Sequence, residues 1–70
     1  MTKDYYKILE IKHDADIEEI KNSYRRLALR YHPDKCTNAL SLERMKEINE
    51  AYSLLKNPIR RLRYDRENNI

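Results

Sequence analysis

Glycine, valine, phenylalanine and tryptophan are all missing from these 70 residues, which contain one cysteine and two prolines. Each absence removes a class of chemistry. Without glycine there is no GxxxxGK(S/T) phosphate loop, no GxGxxG dinucleotide turn, no GxSxG nucleophile elbow and no EF-hand loop. A single cysteine excludes an internal disulfide framework and, with only two histidines, argues against a four-ligand zinc site. No apolar run approaches the roughly eighteen residues of a membrane span, and Met1-Thr2-Lys3-Asp4 carries no apolar signal region. The expectation is a soluble, unprocessed chain without a targeting signal, with no cofactor and no metal; the compartment stays unknown, cytoplasm or nucleus being favoured. Seventy residues allow one domain, and such a small core contributes only about 3–5 kcal/mol net. These exclusions lean toward an interaction module rather than an enzyme.

What is present is charge, leucine, isoleucine and tyrosine. Charged residues make up 39% of the chain, and a mean hydropathy of −1.03 raises the question of disorder. Fifteen leucines and isoleucines lie just above the roughly 20% level below which disorder is expected. The net charge is only +3, so self-repulsion is weak, and six tyrosines supply bulk. A small ordered core is therefore predicted. The isoelectric point of about 9.1 permits a weak attraction to acidic partners and does not by itself argue for nucleic acid.

The ordered core is helical. Ile17, Ile20, Tyr24, Leu27, Ala28 and Tyr31 follow the 3-4-3-4 rhythm of one helix face and predict a helix over residues 16–31. Asp16 with Glu19 resembles a capping box, Asp16, Glu18 and Glu19 open the helix, and Arg25, Arg26 and Arg30 close it in accord with the macrodipole. Pro33 stops it. A second helix is predicted over residues 41–56, with Ser41 as N-cap and a stripe of Met45, Ile48, Ala51, Tyr52 and Leu55. Asn57 then caps a short helix over residues 58–66 with Pro58 at its first position. A short helix over residues 4–9 or 4–10 precedes them. The fold class is all-α, an antiparallel hairpin of two long helices bracketed by a short N-terminal and a short C-terminal helix, with residues 32–40 as connector.

With its stripe inward, the first long helix turns Glu18, Asn22, Arg26 and Leu29 outward, with Lys21 and Arg25 along one edge and Arg30 along the other. Such a face is ordinarily solvated surface; Leu29 beside arginines makes it a candidate docking spot. The connector His32-Pro33-Asp34-Lys35-Cys36 concentrates the unusual side chains. His32 fits a C-terminal helical turn, and Asp34 fits an Asx turn. A His32–Cys36 pair lacks an oxyanion hole and an orienting third group, so no catalytic residue is assigned. His13, His32, Asp34 and Cys36 lack any metal-site spacing.

At this point four blocks of residues, taken in order, resemble the J domain of Hsp40 (DnaJ-type) co-chaperones. They are Asp4-Tyr5-Tyr6-Lys7-Ile8-Leu9, the stretch from Tyr24 through His32-Pro33-Asp34-Lys35, Lys46-Glu47-Ile48-Asn49-Glu50-Ala51-Tyr52, and Arg61 through Tyr64-Asp65. The resemblance covers residues 4–65 and identifies residues 1–70 as a single J domain, expected to be a fragment of a longer co-chaperone. It implies a monomeric module that binds an Hsp70 in its ATP state and stimulates ATP hydrolysis, itself without catalytic activity. His32, Pro33 and Asp34 would form the signature loop, with Asp34 pairing to an arginine of the Hsp70. Lys21, Arg25 and Arg26 would face acidic surface, Lys35 and Lys46 would be auxiliary contacts, and Leu29 and Met45 apolar ones.

The chain departs from that family pattern where Glu10 replaces the usual glycine after the first helix, which predicts a left-handed backbone there or a displaced helix end. Asn38 is a further candidate for left-handed geometry in the glycine-free connector. Two rival readings are a small basic nucleic-acid binder and a J-like scaffold with idle Hsp70 contacts. A helix-turn-helix needs a turn of about three to four residues, shorter than this connector.

Overall fold

The computed structural model describes residues 4–32, 34 and 38–69. Among the described residues there are four helices, α1 (Tyr5–Ile8), α2 (Ile17–Tyr31), α3 (Ala39–Leu55) and α4 (Pro58–Glu67). The all-α hairpin with short flanking helices is the architecture expected. No helix among the described residues is long and apolar enough to cross a membrane.

Every helix starts on a side-chain cap that satisfies backbone N–H groups otherwise left without partners. Asp4 accepts from the Lys7 amide, Asp16 from Glu19, Asn38 from Ser41, and Asn57 from Ile59 and Arg60. Pro58 at the first turn of α4 has no N–H to lose. The predicted Ser41 cap is thus corrected. Asn38 caps α3 three residues earlier, from extended backbone at φ −75° rather than a left-handed one. Ser41 is instead a buried residue of the first turn. The connector shortens accordingly, to residues 32–38.

The core is built from both long helices and the two ends of the chain. Ile20 and Leu27 of α2 meet Ile48, Ala51 and Leu55 of α3, and Tyr6, Leu9, Ala15 and Tyr64 close the cluster. Tyr24, Tyr31, Met45 and Tyr52 are half-buried against it. Ile17, placed on the inward stripe by its spacing, is 41% exposed. It occupies the first turn of α2, where the hairpin partner has already given way to α4 and a shallow groove lined by Leu55, Pro58 and Leu62.

Tyrosines do the work that phenylalanine and tryptophan cannot. Tyr24 stacks on Tyr52 across the hairpin at 4.1 Å and 14°, and its hydroxyl donates to Asn49 Oδ1 at 2.9 Å. Tyr5 and Tyr64 pack at 5.1 Å, and the Tyr5 amide donates to the Tyr64 hydroxyl at 3.1 Å. The Tyr6 hydroxyl donates to Asp65 at 2.6 Å and accepts from Arg61 Nε at 3.0 Å. Arg61 also reaches the Ala15 carbonyl at 2.6 Å. This network fastens α4 and the α1–α2 loop to α1.

Glu10 lies at φ 57°. The missing glycine is therefore absorbed as a left-handed glutamate directly after Leu9, the C-cap of α1.

Candidate functional site

The C-terminal end of α2 delivers the signature residues. His32 is the C-cap, with φ −59° and ψ 136° turning the chain out of the helix. Its Nδ1 accepts the Asp34 backbone N–H at 3.2 Å, which requires the neutral tautomer carrying its proton on Nε2. The imidazole thus holds the Asp34 amide, whereas the amides that an Asx turn at Asp34 would use lie outside the described residues. One carboxylate oxygen of Asp34 lies 3.6 Å from the same Nδ1, and the side chain is 89% exposed. Two acceptor atoms at that distance make no hydrogen bond, so the backbone of Asp34 is held by the imidazole while its carboxylate stands exposed to solvent. Pro33, Lys35 and Cys36 lie outside the described residues.

Along α2 the basic residues divide into two rows. Lys21, Arg25 and Leu29 follow one another at four-residue spacing on one exposed flank that leads to His32. Leu29 is 65% exposed, a large apolar side chain beside two cations. Arg26 belongs to the other flank. Its Nη2 donates to Ser23 Oγ at 2.8 Å, and it lines a cleft of about 500 Å³ against Glu10, Ile11 and Lys12 of the α1–α2 loop. On α3, Lys46 is exposed about two turns from the connector. Met45 is half-buried against the core, so it packs the hairpin as well as bordering its surface. Among the described residues no group of three or more His, Cys, Asp or Glu side chains could hold a metal ion.

The family model described as the DnaJ domain matches residues 4–65, nearly the whole chain. The chain belongs to the DnaJ domain family. Chaperone protein DnaJ of Trichormus variabilis is 56% identical over 66 residues, covering 94% of this chain and 18% of that protein. Chaperone protein DnaJ of Methanosarcina thermophila is 52% identical over 65 residues, 93% of this chain and 17% of its own length. This J domain therefore spans less than a fifth of the curated relatives it matches.

Ser23, buried beside Arg26, is a residue that the sequence did not single out. It is 2% exposed, donates its hydroxyl proton to the Leu9 carbonyl at 2.7 Å and accepts from Arg26. Its signal was available: Ile20, Ser23 and Leu27 stand at i, i+3 and i+7, so a small polar residue sits within an apolar register.

Proposed function

We propose that this J domain docks on an Hsp70 in its ATP state and stimulates ATP hydrolysis by that partner, coupling hydrolysis to capture of a client. The observation that carries the reading is the exposed Asp34 carboxylate, set by His32 at the end of a helix whose adjoining flank presents Lys21, Arg25 and Leu29. Such an arrangement suits a surface with an arginine facing Asp34 and carboxylates facing the basic row. The cations contribute encounter rate and orientation more than affinity. A desolvated carboxylate–arginine pair is more exacting, because truncating one partner leaves the other buried and unpaired at about 2–5 kcal/mol. Lys46, exposed on α3, is a further contact by family resemblance, and Pro33 and Lys35 complete the loop on the same ground. The chain itself supplies no catalytic group; it acts as an activator of the partner ATPase, as a monomer.

Single-turnover ATP hydrolysis by an Hsp70, with and without the chain, tests this. Asp34→Asn keeps the shape and removes the charge, so stimulation should vanish while helicity and melting temperature stay unchanged. His32→Gln should likewise lose stimulation, because it removes the ring nitrogen that holds the Asp34 amide. Normal stimulation by the Asp34→Asn protein would sink the assignment.

A further inference from the structure

Arg26 stands apart from the other cations of α2. Lys21 and Arg25 extend into solvent on the flank that leads to the signature loop, whereas Arg26 is tied back to a buried serine. A serine hydroxyl has one proton to give and lone pairs to receive. In Ser23 the proton goes to the Leu9 carbonyl at 2.7 Å, the capping residue at the end of α1. That bond fixes the rotor and aims the remaining lone pairs at Arg26 Nη2, 2.8 Å away. Ser23 is 2% exposed, so water does not compete for the acceptor. The guanidinium is planar with five donors in a fixed fork, and holding one N–H sets the direction of the others.

We propose that Ser23 is a positioning residue for Arg26: the Leu9 carbonyl–Ser23–Arg26 relay presents the guanidinium in one orientation toward a carboxylate of the docking partner. The inference rests on the docking function proposed above and adds a residue to it. An unrestrained arginine loses considerable rotamer freedom when it is immobilised at an interface. Pinning it beforehand removes part of that cost. The pin also joins the docking helix to the end of α1, where Glu10 turns the chain into the α1–α2 loop.

A double-mutant cycle with two readouts tests the relay. The first is 15N relaxation of the Arg26 Nε–H group in the free protein, which needs no partner. Ser23→Ala should lower the order of that group, and unchanged order would overturn the pin. The second is the concentration of J domain giving half-maximal stimulation of a single-turnover Hsp70 ATPase. Ser23→Ala should raise it by roughly two- to tenfold with the maximal rate preserved. In an Arg26→Ala background the same substitution should have no further effect on stimulation, although it still removes the Leu9 carbonyl's partner and lowers melting temperature in both backgrounds. Equal losses of stimulation in both backgrounds mean a purely structural serine and overturn the proposal. A wild-type chain that fails to stimulate at all, or one indifferent to Asp34→Asn, removes the docking function and with it the purpose of the relay. The relaxation data would still decide whether the pin exists.

Discussion

Glu10 holds φ 57°, a backbone region in which a residue with a Cβ is disfavoured by about 1 kcal/mol or more relative to glycine. Its side chain is exposed, so no core contact offsets that cost. Glu10→Gly should therefore stabilise the domain, although glycine also loosens the unfolded chain by about 0.4–1 kcal/mol. The difference leaves a gain of about 0.5 kcal/mol, a rise of a few degrees in melting temperature for a domain of this size. Thermal denaturation followed by circular dichroism checks it, and a fall in melting temperature would mean that Glu10 makes a compensating interaction. The position was legible in the sequence because the family pattern demands a glycine that this chain lacks. The relay through Ser23 was harder to foresee, because the helical register puts the serine on the buried face without showing what its hydroxyl meets. Only the Leu9 carbonyl across the interface, 14 residues away, makes the serine useful.

Between helices, the tyrosine hydroxyls matter as much as the apolar stripes. Tyr5 donates to Glu50 at 2.6 Å, joining α1 to α3. That hydrogen bond, with burial and the nearby negative charge, pushes its phenol up to about 12. Tyr6 is raised to about 12 as well, chiefly by burial and then by its bond to Asp65, with Arg61 pulling the other way. Both protons are thus held more tightly in the folded state than at the ordinary value near 10. Their contribution to stability is complete below pH 10 and is lost as pH rises from 10 to 12, because the unfolded chain releases its protons first. Urea denaturation midpoints across that window should fall, and the fall should be much smaller in the Tyr5→Phe/Tyr6→Phe double variant. An identical decline in that variant would place the alkaline sensitivity elsewhere. The helix positions around this network were readable from periodicity and from the Asp16 and Asn57 caps. Ser41 misled because serine is a common cap; Asn38, three residues earlier, satisfies the first-turn amide and leaves Ser41 buried. Pairings such as Tyr6 with Asp65 connect residues 59 apart, which no local pattern encodes.

Charge over the whole molecule is distributed less simply than a basic docking helix suggests. Ten basic and ten acidic residues precede position 56, whereas residues 56–67 contain five basic and two acidic ones, so the entire net charge of +3 arises there. Arg61 and Asp65 are spent on the internal network with Tyr6, which leaves Lys56, Arg60, Arg63 and Arg66 at the surface. On the proposed function the basic flank of α2 therefore acts through local arrangement, and the monopole belongs to the far end of the hairpin. α4 starts where α3 ends, about 25 Å of helix from the connector. At about 0.15 M salt the Debye length is roughly 8 Å, too short for those charges to influence events at the loop; at about 0.01 M it is roughly 30 Å. Arg63→Gln/Arg66→Gln lowers the net charge to about +1 without touching the core, the signature loop or the basic row of α2. On the proposed function, association with an acidic Hsp70 surface should then be unchanged at physiological salt and slower at low salt, with dissociation unaffected at either. Stopped-flow association rates at the two ionic strengths distinguish the cases. Loss of association at physiological salt would make the α4 arginines direct contacts and enlarge the docking surface beyond α2, the loop and Lys46.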